Sequence, residues 1–207
     1  MPCGAIDAPA MTPITLCVFC GANTGHDARH AEAARAVGHA IGVQGLGLVY
    51  GGGQAGLMGI VADAALAAGA PVTGVIPQRL MARELGHPGV TELLVVPGMH
   101  ERKREMAARA QAFLALSGGL GTMEELFEIW TWRQLGYHRR PIGLLDIAGF
   151  YAPLRQFLAG AAGAGFVGQA TLDELLVDVD PARLVAALAR DARTLSDGHP
   201  PPDLSVT

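Results

Sequence analysis

Seven short apolar runs, each closed by a turn-forming residue and followed by a new structural pattern, constrain this chain more than any other feature. They are ITLCVFC at 14–20, GLGLVY at 45–50, PVTGVIP at 71–77, 91–96 with LLVV at its core, 112–116, IGLLD at 142–146 and LLVDV at 175–179. Helical spacing occupies about 28–43, 56–68, 99–110, 121–135, 150–162 and 181–192, and 77–86 reads as a short helix or loop. Strands that are apolar along their whole length are buried on both faces, and intervening helices supply the crossovers that parallel pairing requires. The expected fold is α/β: a Rossmann-like three-layer fold with a parallel sheet covered by helices on both faces.

A chain of 207 residues, half of them hydrophobic, can close one sizeable core. We expect a single domain over 14–193, with flexible tails at 1–13 and 194–207, where Pro200, Pro201 and Pro202 cannot continue a helix. Gly, Pro, Arg or Asp interrupts every apolar window before the ~20 residues a membrane span needs. The N-terminus has neither a basic start nor a continuous apolar segment, so no signal peptide and a cytoplasmic location are expected. A net charge of -4 and a pI near 5.9 argue against a protein built to grip nucleic acid. Low charge and a mean hydropathy of +0.31 favour a homo-oligomer that hides apolar surface. Cys17 and Cys20 lie three apart in one strand and point to opposite faces, so they read as buried strand cysteines and not as a metal or redox pair.

In parallel sheets, ligands bind outside the carboxyl ends of the strands. Three such junctions stand out: Gly51–Gly56, Met99–Lys103 and Ser117–Glu125. The first is a G-x-G-x-x-G between strand and helix, but the following strand ends Ile76-Pro77-Gln78, without the acidic residue a dinucleotide ribose needs. What survives is a close backbone approach, for phosphate or for packing. In the second, Arg102, Lys103 and Arg104 crowd a helix start, where cations are unfavourable unless an anion compensates. Either a ligand does so, or Glu101 and Glu105 neutralise them. Lys103 is the one lysine of the sequence. The third, Gly118-Gly119-Leu120-Gly121-Thr122, can cradle a phosphate but lacks the Lys-Ser/Thr pair of an ATP-hydrolysing loop. Glu124 and Glu125 follow; acidic residues stabilise a helix start, yet a pure anion-binding loop would do better without them, which favours catalysis. Glu128 reads as helix surface, His26, His30 and His39 as solvated, and Trp130 and Trp132 as core or interface.

GGGQAGLMG at 51–59, MHERK at 99–103, GGLGTMEE at 118–125, CVFCGAN at 17–23 and TWRQLGYHRRPIGLL at 131–145 together resemble the lonely guy (LOG) family. Its members are cytokinin riboside 5'-monophosphate phosphoribohydrolases, often mislabelled lysine decarboxylases. The resemblance covers about Thr15 to Val179, with Ser117 where the family motif PGGxGTxxE has proline. It implies hydrolysis of the N-glycosidic bond of an adenosine-type 5'-monophosphate, with Arg102 and Glu125 as the catalytic pair. Gly118, Gly119, Gly121 and Thr122 would hold the phosphate. Glu84, Lys103, Glu124 and Thr131 match substrate-binding positions, and Met99, Gly52 and Gly53 join them from the matching runs. A homodimer is also implied, with a small-molecule nucleotide as substrate and no metal or organic cofactor. A lysine decarboxylase would need a pyridoxal phosphate Schiff base, for which Lys103 is the one candidate. Two alternatives remain: a broader AMP or purine monophosphate nucleosidase, and a non-catalytic nucleotide or cofactor carrier that has no need of Glu125.

Overall fold

The computed structural model describes residues 13–84 and 86–196, side chains excepted at 82–84 and 196. Most of the expected tails, including the proline run, lies outside the described residues. The seven apolar runs become β1 (Thr15–Phe19), β2 (Gly47–Tyr50), β3 (Val72–Pro77), β4 (Glu92–Val96), β5 (Ala112–Ala115), β6 (Ile142–Leu145) and β7 (Leu175–Asp178). All pair in parallel in one sheet of order β4-β3-β2-β1-β5-β6-β7. The helices are α1 (Ala28–Val43), α2 (Gly56–Ala67), α3 (Gln78–Glu84), α4 (Met99–Arg109), α5 (Leu120–Gln134), α6 (Ala152–Gly163), α7 (Gln169–Asp173) and α8 (Pro181–Ser196).

Strand alternation sorts the core into two halves. Leu16, Val18 and Cys20 of the β1 segment join α1, α2 and α8 on one face, whereas Cys17 and Phe19 join α4, α5 and α6 on the other. The two cysteines are buried on opposite faces, and burial raises both thiol pKa values, which makes them packing groups and not nucleophiles. Trp130 is likewise core, with its indole N–H donating to the Thr171 carbonyl (3.3 Å). Among the described residues no helix is long and apolar enough to cross a membrane.

Three boundaries differ from the sequence reading. Residues 147–149 form a short 3-10 turn, with Ala148 at φ 57°, so α6 starts after Phe150. The five-residue α7 is too short to carry a period and was not expected. The last helix runs to Ser196, beyond the expected end near 192.

The sheet order reverses between β1 and β5. The chain builds outward from β1 to β4, then α4 carries it back past β3 and β2 to pair β5 against the free side of β1. The loops after β1 and β5 therefore diverge to opposite faces and leave a crevice between them. The two helices leaving β1 and β2 are locked by glycine: a Cβ at Gly38 would overlap the Val61 carbonyl, and one at Gly42 would overlap Ala68. Gly38→Val should lower stability by about 1–3 kcal/mol through overpacking, measured as an earlier urea midpoint at unchanged slope.

Candidate active site

Gly118 to Thr122 turns β5 into α5, and no side chain caps the first turn of that helix. Its N–H groups are free to meet an anion. A Cβ at Gly118 would overlap the Thr122 side chain, which folds back over it, while Cβ atoms at Gly119 and Gly121 would meet nothing within 4 Å. The loop is packed on its inner side and open on its outer one. Facing it is the loop after β1, tied down where Gly21 N donates to the Ser117 carbonyl (3.0 Å) and Leu57 N donates to the Gly21 carbonyl (3.0 Å).

Between these loops lies a cavity of about 660 Å³. Met99, Arg102, Gly118, Gly119, Gly121, Thr122 and Glu125 line it, as the sequence suggested. Arg102 and Glu125 are only 6% and 8% exposed, an uncommon state for charged side chains that needs compensation. Arg102 finds part of its compensation at Gly51: Nη2 donates to the Gly51 carbonyl (3.0 Å), and a Cβ there would collide with the guanidinium. Its Nε is buried without a hydrogen-bond partner among the described residues. The thiols of Cys17 and Cys20, raised first by burial, are pushed further up by Glu125 and down by Arg102, which sets both charges around the end of β1.

Other expected residues do not line the cavity. Gly52 (φ 75°) is pressed against Val75 and Ile76, Gly53 bridges to Gly86, and Gly51 of the same run seats Arg102. The reason is positional: β2 is one strand away from the reversal. Thr131 is exposed further along α5. The Glu84 side chain lies outside the described residues. Lys103 Nζ pairs with Glu124 and, at 2.9 Å, with Glu128. Burial acts to lower its pKa, but the hydrogen bonds it donates to Glu124 and Glu128 outweigh it and hold the ammonium above its ordinary value. Glu128 is thus no surface residue, and neither Glu101 nor Glu105 neutralises the cluster; Glu105 pairs with Arg109 (3.6 Å).

The sequence reading missed the loop Gly21–Asp27, together with His30 and Phe150. His30 is half-buried and partnered: Nδ1 lies 2.8 Å from Ser117 Oγ, and its ring meets Phe150 edge-on at 5.5 Å. The turn signal GANTGHD after a strand was the available clue, since every loop at that end of a parallel sheet is a candidate wall. Among the described residues no group of three or more His, Cys, Asp or Glu side chains could hold a metal ion.

A lysine whose folded pKa is raised stabilises the fold fully below its unfolded value and loses that contribution as pH climbs through the folded one. Lys103→Met, which leaves Glu124 and Glu128 facing each other one turn apart, should cost about 1–3 kcal/mol at neutral pH. The deficit should shrink as pH rises above the ordinary lysine value of 10.5, a trend checked by urea midpoints of both proteins against pH.

Comparison with known proteins places these features. A family model described as "Possible lysine decarboxylase" matches residues 58–188. The chain is 44% identical over 190 residues, covering 91% of itself and 96% of the relative, to a protein of Rhodococcoides fascians named cytokinin riboside 5'-monophosphate phosphoribohydrolase. It is 47% identical over 163 residues, covering 79% of itself and 73% of the relative, to a rice protein named as a probable enzyme of the same kind. The fold is also that of the Moco carrier protein from Chlamydomonas reinhardtii, with a TM-score of 0.68 at 20% identity, covering 89% of this chain and all of that one. With its motifs seated on the reversal of the sheet and relatives matched along most of its length, the chain belongs to the LOG family.

Proposed function

We propose that this protein is a cytokinin riboside 5'-monophosphate phosphoribohydrolase, which hydrolyses the N-glycosidic bond of N6-substituted AMP to free base and ribose 5-phosphate. The observation that carries the reading is the meeting of one buried guanidinium, one buried carboxylate and one uncapped helix start on a single cavity. The names of the relatives point the same way.

The chemistry follows from the charges. The phosphate binds the N–H groups of Gly118 to Thr122 and the Thr122 hydroxyl, where the helix dipole favours an anion. As the C1'–N9 bond breaks, its electron pair leaves with the base and positive charge develops on the ribose. The Glu125 carboxylate stabilises that charge in a site largely shielded from water, where one fixed charge is worth far more than in solvent. Water adds to C1' and the departing base takes up a proton, so nucleotide plus water balances free base plus ribose 5-phosphate. Arg102, anchored on Gly51, orients the substrate and offsets the negative charge of Glu125 and phosphate.

A pyridoxal-dependent decarboxylase does not fit these residues. Its Schiff base needs a neutral lysine amine at the cavity, whereas Lys103, the one lysine, is a charged group held by two carboxylates away from the cavity wall. We further infer a cytoplasmic homodimer. In support, Leu120 is 91% exposed and Met99 43% exposed close to the cavity, apolar side chains that a second copy would cover.

Purified protein incubated with N6-isopentenyladenosine 5'-monophosphate should release free base and ribose 5-phosphate, resolved by chromatography, and should release adenine more slowly from AMP. Equal rates would indicate the broader nucleosidase, and binding without release would indicate a carrier. Glu125→Gln should lower kcat by about a thousandfold or more with nucleotide affinity largely kept.

A further inference from the structure

Ser117 departs from the proline of the family motif, and its hydroxyl is what engages His30. Proline has no side-chain donor or acceptor, so a chain with the motif's proline would lack this pairing. Both side chains line the cavity, and Ser117 is 7% exposed. His30 projects from the first turn of α1, at the seam where Gly21 N meets the Ser117 carbonyl. Its ring is held on two sides: Nδ1 faces Ser117 Oγ at 2.8 Å, and Phe150 closes on it edge-on. The contact with Ser117 takes Nδ1, so Nε2 is the nitrogen left to face a ligand.

The cavity is poor in positive charge. Among the residues lining it, Arg102 is the one full cation, with Nη2 on the Gly51 carbonyl, whereas Asp27 and Glu125 are both acidic. The Asp27 carboxyl is held down at about 2 by its hydrogen bonds with Arg29, which turns that charge toward its own helix start. One guanidinium shared between Glu125 and a phosphate leaves oxygens of that phosphate for neutral donors, and an oriented imidazole at the seam of the two loops is one of them.

We propose that His30 is a phosphate-binding residue of this cavity and Ser117 the residue that positions it. The Ser117 hydroxyl donates to Nδ1, which fixes the proton on Nε2, and Nε2–H donates to an oxygen of the 5'-phosphate. The inference rests on the phosphate-bearing substrate proposed above, but it concerns binding and not bond cleavage.

The test is therefore calorimetric binding of ribose 5-phosphate, which requires no turnover, alongside binding of the phosphate-free nucleoside N6-isopentenyladenosine. His30→Phe keeps a ring against Phe150 and should weaken ribose 5-phosphate by about tenfold while leaving the nucleoside unchanged. Ser117→Ala should weaken ribose 5-phosphate less, and should have no further effect in the His30→Phe background, because it acts through the imidazole. With the nucleotide substrate, both variants should raise KM and leave kcat close to wild type. Thermal unfolding of each variant reports on the fold, and if His30→Phe does not fold, Ser117→Ala carries the comparison of the two ligands alone. The proposal is overturned if wild type does not bind ribose 5-phosphate, if His30→Phe binds it as wild type does, if nucleoside and ribose 5-phosphate weaken equally, or if the two substitutions add. Phosphate binding that depends on His30, without release of base from any nucleotide, would uphold this inference and overturn the proposed activity.

Discussion

The parallel pairing of β5 against β1 is the constraint on which the rest of the molecule depends. Until that strand pair forms, the chain is a run of βα units that all extend one way. Once it forms, the loops after the two central strands must part, and nothing in the fold can fill the space between them. Backbone N–H groups at the start of α5 face that space without a side-chain cap. An anion site is therefore a consequence of topology before any special side chain is considered.

Two neighbouring residues of α4 show how the fold divides charge. Arg102 and Lys103 are consecutive, so they point about 100° apart around the helix. Arg102 reaches the end of β2, where the absence of a side chain on Gly51 makes room for the guanidinium and exposes a carbonyl to receive it. Lys103 turns instead to α5 and meets Glu124 and Glu128, a pair of like charges one turn apart that would repel without it. One cation is thus kept for the cavity and the other fastens the two helices that carry Arg102 and Glu125. Glu124 and Glu125 divide in the same way, one toward Lys103 and the other toward the cavity.

The strands were legible because residues such as Val49, Leu114 and Leu144 are apolar without alternation, a pattern that only burial on both faces allows. The two charged helix starts were legible because cations and carboxylates follow turn residues there, where charge has a chemical meaning, but the resemblance, and not the spacing, singled out Arg102 and Glu125. The partners of those residues were not. His30 looked solvated because spacing along α1 says nothing about Ser117, which is 87 residues away in sequence. Glu128 looked like surface because its partner lies on another helix, and the place of Gly52 and Gly53 outside the cavity wall depends on strand order, which spacing does not give.

The sequence by itself therefore determined the layers, the all-parallel sheet and the kind of chemistry its helix starts can support, since periodicity and residue type are local quantities. Only the tertiary structure decided which loops became neighbours, which of two adjacent cations entered the cavity and which joined an ion cluster, and that a serine would meet a histidine at the seam. Those outcomes depend on strand order and on contacts between elements far apart in the chain, and strand order is set by which pairing buries the apolar strands on both faces.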